Sequence, residues 1–172
     1  MKTTKLFLLL VCTTLTLVGC LEEKTPNEIT PSTSALKLPA LFSDHMVLQQ
    51  IMSCPVWGWA RDGTPVTVEI NGKQAKTTAR DGRWQVKLPV MEAGGPYTLT
   101  ISTPDKTIEL KDVLVGEVWV CSGQSNMEWP VETSNNAEAE IAAAKYPNMR
   151  LFTVEKFTSG KPLQDVTGKW LV

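Results

Sequence analysis

Val118-Trp119-Val120-Cys121-Ser122-Gly123-Gln124-Ser125-Asn126-Met127-Glu128-Trp129 is the stretch whose reading decides the fold. It closes an apolar run over residues 113–121 that only Gly116 and Glu117 interrupt. Such a Val-rich run predicts a strand covered on both faces, as in a parallel sheet. Ser122-Gly123 then supplies small residues that let the backbone turn sharply. Ser125 follows at the mouth of that turn, where open α/β sheets place their ligands. A helix opening just beyond it would aim backbone N–H groups at a developing oxyanion.

The same residues also fit a plain polar loop, since Ser, Gly and Asn are common there. The stretch is not the G-x-S-x-G elbow, because Met127 stands where the second glycine belongs. A serine hydroxyl needs a base within hydrogen-bond reach, itself oriented by a third group. The chain has one histidine, His45. It lies far upstream in Ser43-Asp44-His45-Met46 and reads as a structural residue at a strand start. Glu128 and Glu132 are nearby in sequence, but a carboxylate alone is a poor base for serine.

Residues 38–112 carry the signals of an all-β sandwich. Val66, Val68 and Ile70 alternate up to the hairpin pair Asn71-Gly72. Asp81-Gly82 is a second such turn, followed by alternating Trp84, Val86 and Leu88. Gly94-Gly95-Pro96 breaks the chain before Tyr97, Leu99 and Ile101. Thr103-Pro104-Asp105 breaks it again before Ile108 and Leu110. Trp57, Trp59 and Trp84 suit a packed interior on alternating strands, or a platform on which a sugar stacks.

From Val113 the period changes. A helix is predicted from Asn135, with Glu138 three residues on in a capping arrangement. Ala137 to Lys145 is strongly helix-forming, Glu138 and Glu140 lie near its positive end, and Pro147 stops it. Residues 150–154 read as the next strand. Strand, helix and strand make a βαβ unit, so residues 113–172 are predicted as the start of an α/β domain that is incomplete as given. One βαβ unit is too little to bury its own faces.

Residues 1–20 read as a targeting segment. Lys2 and Lys5 precede a mostly apolar run, Leu6 to Val18, that is short for a bilayer span. Leu17-Val18-Gly19-Cys20 resembles a bacterial lipobox. That resemblance implies lipidation at Cys20, a membrane anchor without a span, and a place in the periplasm or at the cell surface. Residues 21–37, with Pro26, Pro31 and many Thr, Ser and Glu, read as a tether.

Seventeen basic and 18 acidic residues leave a net charge of −1, and no basic run follows Lys5. That balance speaks against nucleic acid as a partner. Of four cysteines, Cys54 and Cys121 fall in the folded part. They read as two small buried thiols rather than a disulfide between different domains. No His or Cys cluster has metal-ligand spacing, so no metal and no cofactor is expected. The oligomeric state is left open.

Gly-Glu-Val-Trp-Val-Cys-Ser-Gly-Gln-Ser-Asn-Met-Glu-Trp, residues 116–129, resembles the nucleophile block of the sialate O-acetylesterase family, which has an SGNH-hydrolase-type catalytic domain. Four further blocks resemble the family's leading β domain, in the family's order. They are residues 38–49, then Val56-Trp57-Gly58-Trp59-Ala60, Asp81-Gly82-Arg83-Trp84 and Ala93-Gly94-Gly95-Pro96-Tyr97. The resemblance implies Ser125 as nucleophile, with Gly123, Gln124 and Asn126 as turn and oxyanion support. It implies an exported esterase that removes O-acetyl groups from sialic acid or related sugars. In the family a late Asp-x-x-His motif supplies the acid and the base, and this chain has no such motif. Neither Asn126 nor Asn148 is an obvious equivalent of the family's later oxyanion donor. As it stands the chain therefore reads as an inactive fragment of such an enzyme. The alternative is a non-catalytic, surface-anchored β-sandwich module that binds glycan or a partner.

Overall fold

The computed structural model describes residues 35–172. The signal segment, Cys20 and most of the tether lie outside the described residues.

The described chain is mostly β-sheet with few helices. It runs β1 (Val47–Gln49), β2 (Cys54–Trp59), β3 (Pro65–Ile70), β4 (Lys73–Thr78), β5 (Arg83–Leu88), β6 (Gly94–Ser102) and β7 (Thr107–Gly116). A helix, α1 (Ala137–Ala143), and two short strands, β8 (Leu151–Phe152) and β9 (Trp170–Leu171), follow. One five-stranded sheet has the order β1-β7-β6-β3-β4, and β2 and β5 form a second. All neighbours in these two sheets are antiparallel except β1 and β7, which run parallel with Val47 opposite Leu114.

The turn chemistry decides where the strands fold back. Asn71 and Gly72 sit at φ of 47° and 68°, and Asp81 and Gly82 at 52° and 73°. These left-handed pairs are what two-residue hairpins require, and Asn, Asp and Gly tolerate them best. The first pair joins β3 to β4. The second carries the chain from β4 in the large sheet to β5 in the small one.

Alternation then builds one core. Val66, Val68 and Ile70 of β3 are buried while Pro65 and Glu69 are exposed. Trp84, Val86 and Leu88 of β5 and Leu99 and Ile101 of β6 point inward the same way. Val56 of β2, Val113 and Val115 of β7 and Leu48 of β1 complete the cluster between the sheets. Burying each such side chain is worth about 1.5–3 kcal/mol.

Five expectations change. The tether does not reach residue 37: Leu36 is buried in the core, and Lys37 exchanges two backbone hydrogen bonds of 2.9 Å with Trp59. Gly94-Gly95-Pro96 is not a break but the irregular start of β6, with register shifts up to Leu99. Gly95 has φ 120°, and a Cβ there would lie 2.8 Å from the Val113 carbonyl, so only glycine fits. The strand at 113–121 ends early: β7 stops at Gly116, and Trp119 and Val120 are 82% and 91% exposed. Apolar character records a preference for burial, and no described strand pairs with residues 118–121 to satisfy it.

The βαβ reading is the fourth. β8 pairs antiparallel with β9, with Phe152 opposite Trp170, and does not pair with β7. The Phe152 and Trp170 rings meet at 5.3 Å between centroids, and the Trp170 indole N–H donates to the Leu41 carbonyl at 2.8 Å. The ring contact joins β8 to β9, and the indole bond ties β9 to the residues before β1. Helix α1 forms, but Asn136 precedes it at φ 60° with no side-chain cap, so the expected capping arrangement is absent. An N-cap needs extended backbone, which Asn136 does not have.

Candidate functional site

Ser125 opens a single 3-10 turn, Ser125–Glu128, closed by the Met127 N–H donating to the Gln124 carbonyl at 2.9 Å. Gln124 before it is extended, and a Cβ on Gly123 would lie 3.3 Å from Met127 Cγ. The small residue thus lets Met127 close over the turn. Gly123, Gln124, Ser125 and Asn126 are all exposed. The Ser125 hydroxyl has no hydrogen-bond partner among the described residues. The turn is one turn long rather than the mouth of a longer helix, and α1 begins only at Ala137.

The approach to this turn is held by residues that the sequence did not single out. Gln49 Oε1 accepts from the Val118 N–H at 2.8 Å, and Gln50 Nε2 donates to Glu117 Oε1 at 2.6 Å. Gln49 ends β1 and Gln50 follows it. Because β1 lies beside β7, the two glutamines steer the chain as it leaves the sheet. Beyond the turn, Lys156 Nζ reaches Glu128 Oε2 at 2.8 Å, an exposed pair of small energetic weight.

His45 does not join Ser125 by any hydrogen bond. Its Nδ1 lies 2.7 Å from Asp112 Oδ2, and Arg150 Nη2 donates to the same oxygen at 3.1 Å. The hydrogen bond from His45, together with the Arg150 charge, holds the Asp112 carboxyl below its usual range, against an opposing effect of desolvation. An ionised carboxylate only accepts, so His45 Nδ1 carries the hydrogen. The three side chains tie the β unit to the segment that follows it.

Cys54 is buried and Cys121 exposed, and both are free, so the reading of two buried thiols holds only for Cys54. Burial pushes the Cys54 thiol up. Trp59 and Trp84 are buried and Trp57 is partly so. Among the described residues no three His, Cys, Asp or Glu side chains converge as a metal site would require.

No family model matches the chain. It is 34% identical to the sialate O-acetylesterase of Mus musculus over 144 residues, and 31% identical to that of Homo sapiens over 143 residues. Each match covers 76% of this chain and 27% of the relative, so the chain spans about a quarter of the length of these relatives. Its fold is similar to the crystal structure of a carbohydrate acetylesterase from Xanthomonas citri. That match has a TM-score of 0.75 and 39% identity, and covers 80% of this chain and 32% of the other. By these likenesses, over about three quarters of its length, the chain belongs to the sialate O-acetylesterase family.

Proposed function

We propose that the chain carries the nucleophile of an exported carbohydrate esterase that removes O-acetyl groups from sialic acid or related sugars. The observation that carries this reading is Ser125, exposed on its own short turn with no side-chain hydrogen bond among the described residues, in a chain similar to enzymes of that name. Ser125 Oγ attacks the acetyl carbonyl, and its proton passes to a base. The tetrahedral oxyanion is held by backbone N–H groups at the turn. The sugar hydroxyl then leaves with a proton, and water releases acetate from the acyl-serine.

His45 pairs with Asp112 and makes no hydrogen bond to Ser125, so the base and its orienting acid come, in this proposal, from sequence outside these 172 residues. The α/β hydrolase sheet that would cover residues 118–121 belongs to the same proposal, as do the β-sandwich character of residues 38–112 and the lipid anchor at Cys20 in the periplasm or at the cell surface. The test is labelling with a fluorophosphonate, which reacts with activated serines. A version of the protein extended to the length of its relatives should label at Ser125, and Ser125→Ala should not. Labelling that survives Ser125→Ala overturns the assignment.

A further inference from the structure

We propose that the β unit carries a binding site for a carboxylate-bearing sugar, separate from Ser125 and independent of its role. A cleft of about 640 Å³ opens beside β2 and β5, with Trp57, Trp84, Thr77 and Gln85 in its wall and Arg80 and Arg83 at its edge. That volume lies within the range of ordinary small-ligand sites, about 300–1,000 Å³.

The two arginines face each other across the Asp81-Gly82 turn, their backbones exchanging hydrogen bonds of 2.8 and 3.0 Å. Like charges on facing positions are unfavourable. Asp81 stands between them at the tip of the turn, yet neither guanidinium has an ion pair or side-chain hydrogen bond among the described residues. The other carboxylate of this corner, Asp62, accepts from the Gly82 N–H at 2.6 Å. Two uncompensated guanidinium groups match a carboxylate, which each can bind through two parallel hydrogen bonds. The wall beside them supplies indole surface for a sugar ring, and hydroxyl and amide groups for its alcohols.

The 172-residue chain, isotopically labelled, is titrated with the methyl glycosides of N-acetylneuraminic acid, glucuronic acid and galactose, and with acetate. The acidic sugars should shift the Trp57 and Trp84 indole signals and bind about tenfold or more tighter than galactoside, the effect expected of one charge-assisted contact. Their relative affinities separate a sialate from a uronate. Arg80→Gln with Arg83→Gln should abolish the preference while the thermal midpoint holds. Equal binding of acidic and neutral sugars, indole signals that no acidic sugar moves, or a preference that survives the double variant would each overturn the proposal. Acetate binding as tightly as the acidic sugars would overturn the sugar component.

Discussion

Arg150 Nη2 lies 3.1 Å from Asp112 Oδ2, joining the middle of the long strand β7 to the chain 38 positions later. The Arg150 side chain is only 5% exposed, and among the described residues its Nε has no partner and Asp112 is the acidic group that balances it. Removing that carboxylate leaves a buried cation unpaired. Asp112→Asn should speed proteolysis within residues 153–169 while the β unit keeps its thermal midpoint. Unchanged cleavage rates would show that the pair does not hold the segment.

The same clasp has a pH dependence. The folded Asp112 carboxyl titrates below its unfolded value, so its stabilisation is present above about pH 4 and is lost as the pH falls further. Proteolysis of residues 153–169 should therefore accelerate on acidification in the wild type and not in Asp112→Asn. An identical acid response in both would assign the effect to other groups.

Gly58 sits opposite Trp84, and a Cβ there would run into the Lys37 carbonyl and lie 2.9 Å from Trp84 Cζ2. Gly58→Ala should lower the unfolding free energy by about 1–3 kcal/mol through overpacking. Denaturant unfolding at wild-type stability would mean that Lys37 and the indole yield without cost.

Much of the β unit is legible in the sequence because its signals are local. Asn71-Gly72 and Asp81-Gly82 set their own backbone angles, and Val66, Val68 and Ile70 alternate without reference to distant residues. Strand β4 is not legible, because Lys73, Gln74, Lys76, Thr77 and Thr78 surround its one apolar residue, Ala75, at the sheet edge. Residues 118–121 mislead for the opposite reason, since their apolar side chains have no described strand to cover them. The exposure of Ser125 is legible from its turn residues. The grip of Gln49 and Gln50, and the His45–Asp112–Arg150 clasp, join residues far apart in sequence and leave no local trace.

The proposed export and lipid anchor rest on the lipobox-like Leu17-Val18-Gly19-Cys20. Wild type should incorporate a labelled fatty-acid precursor in a bacterial host, and Cys20→Ser should not. Equal incorporation by the two would remove the anchor.

The central claim is that Ser125 is the nucleophile and that its base lies outside these 172 residues. The most direct measurement is acetate release from an O-acetylated sialoside by the 172-residue chain, by a version extended to the length of its relatives, and by the Ser125→Ala form of each. Loss of a triad member costs several orders of magnitude in rate. The extended protein should therefore turn over and lose that turnover in Ser125→Ala, while the short chain stays at the buffer rate. Ser125-dependent turnover by the short chain, or turnover by the extended protein without Ser125, would contradict the account.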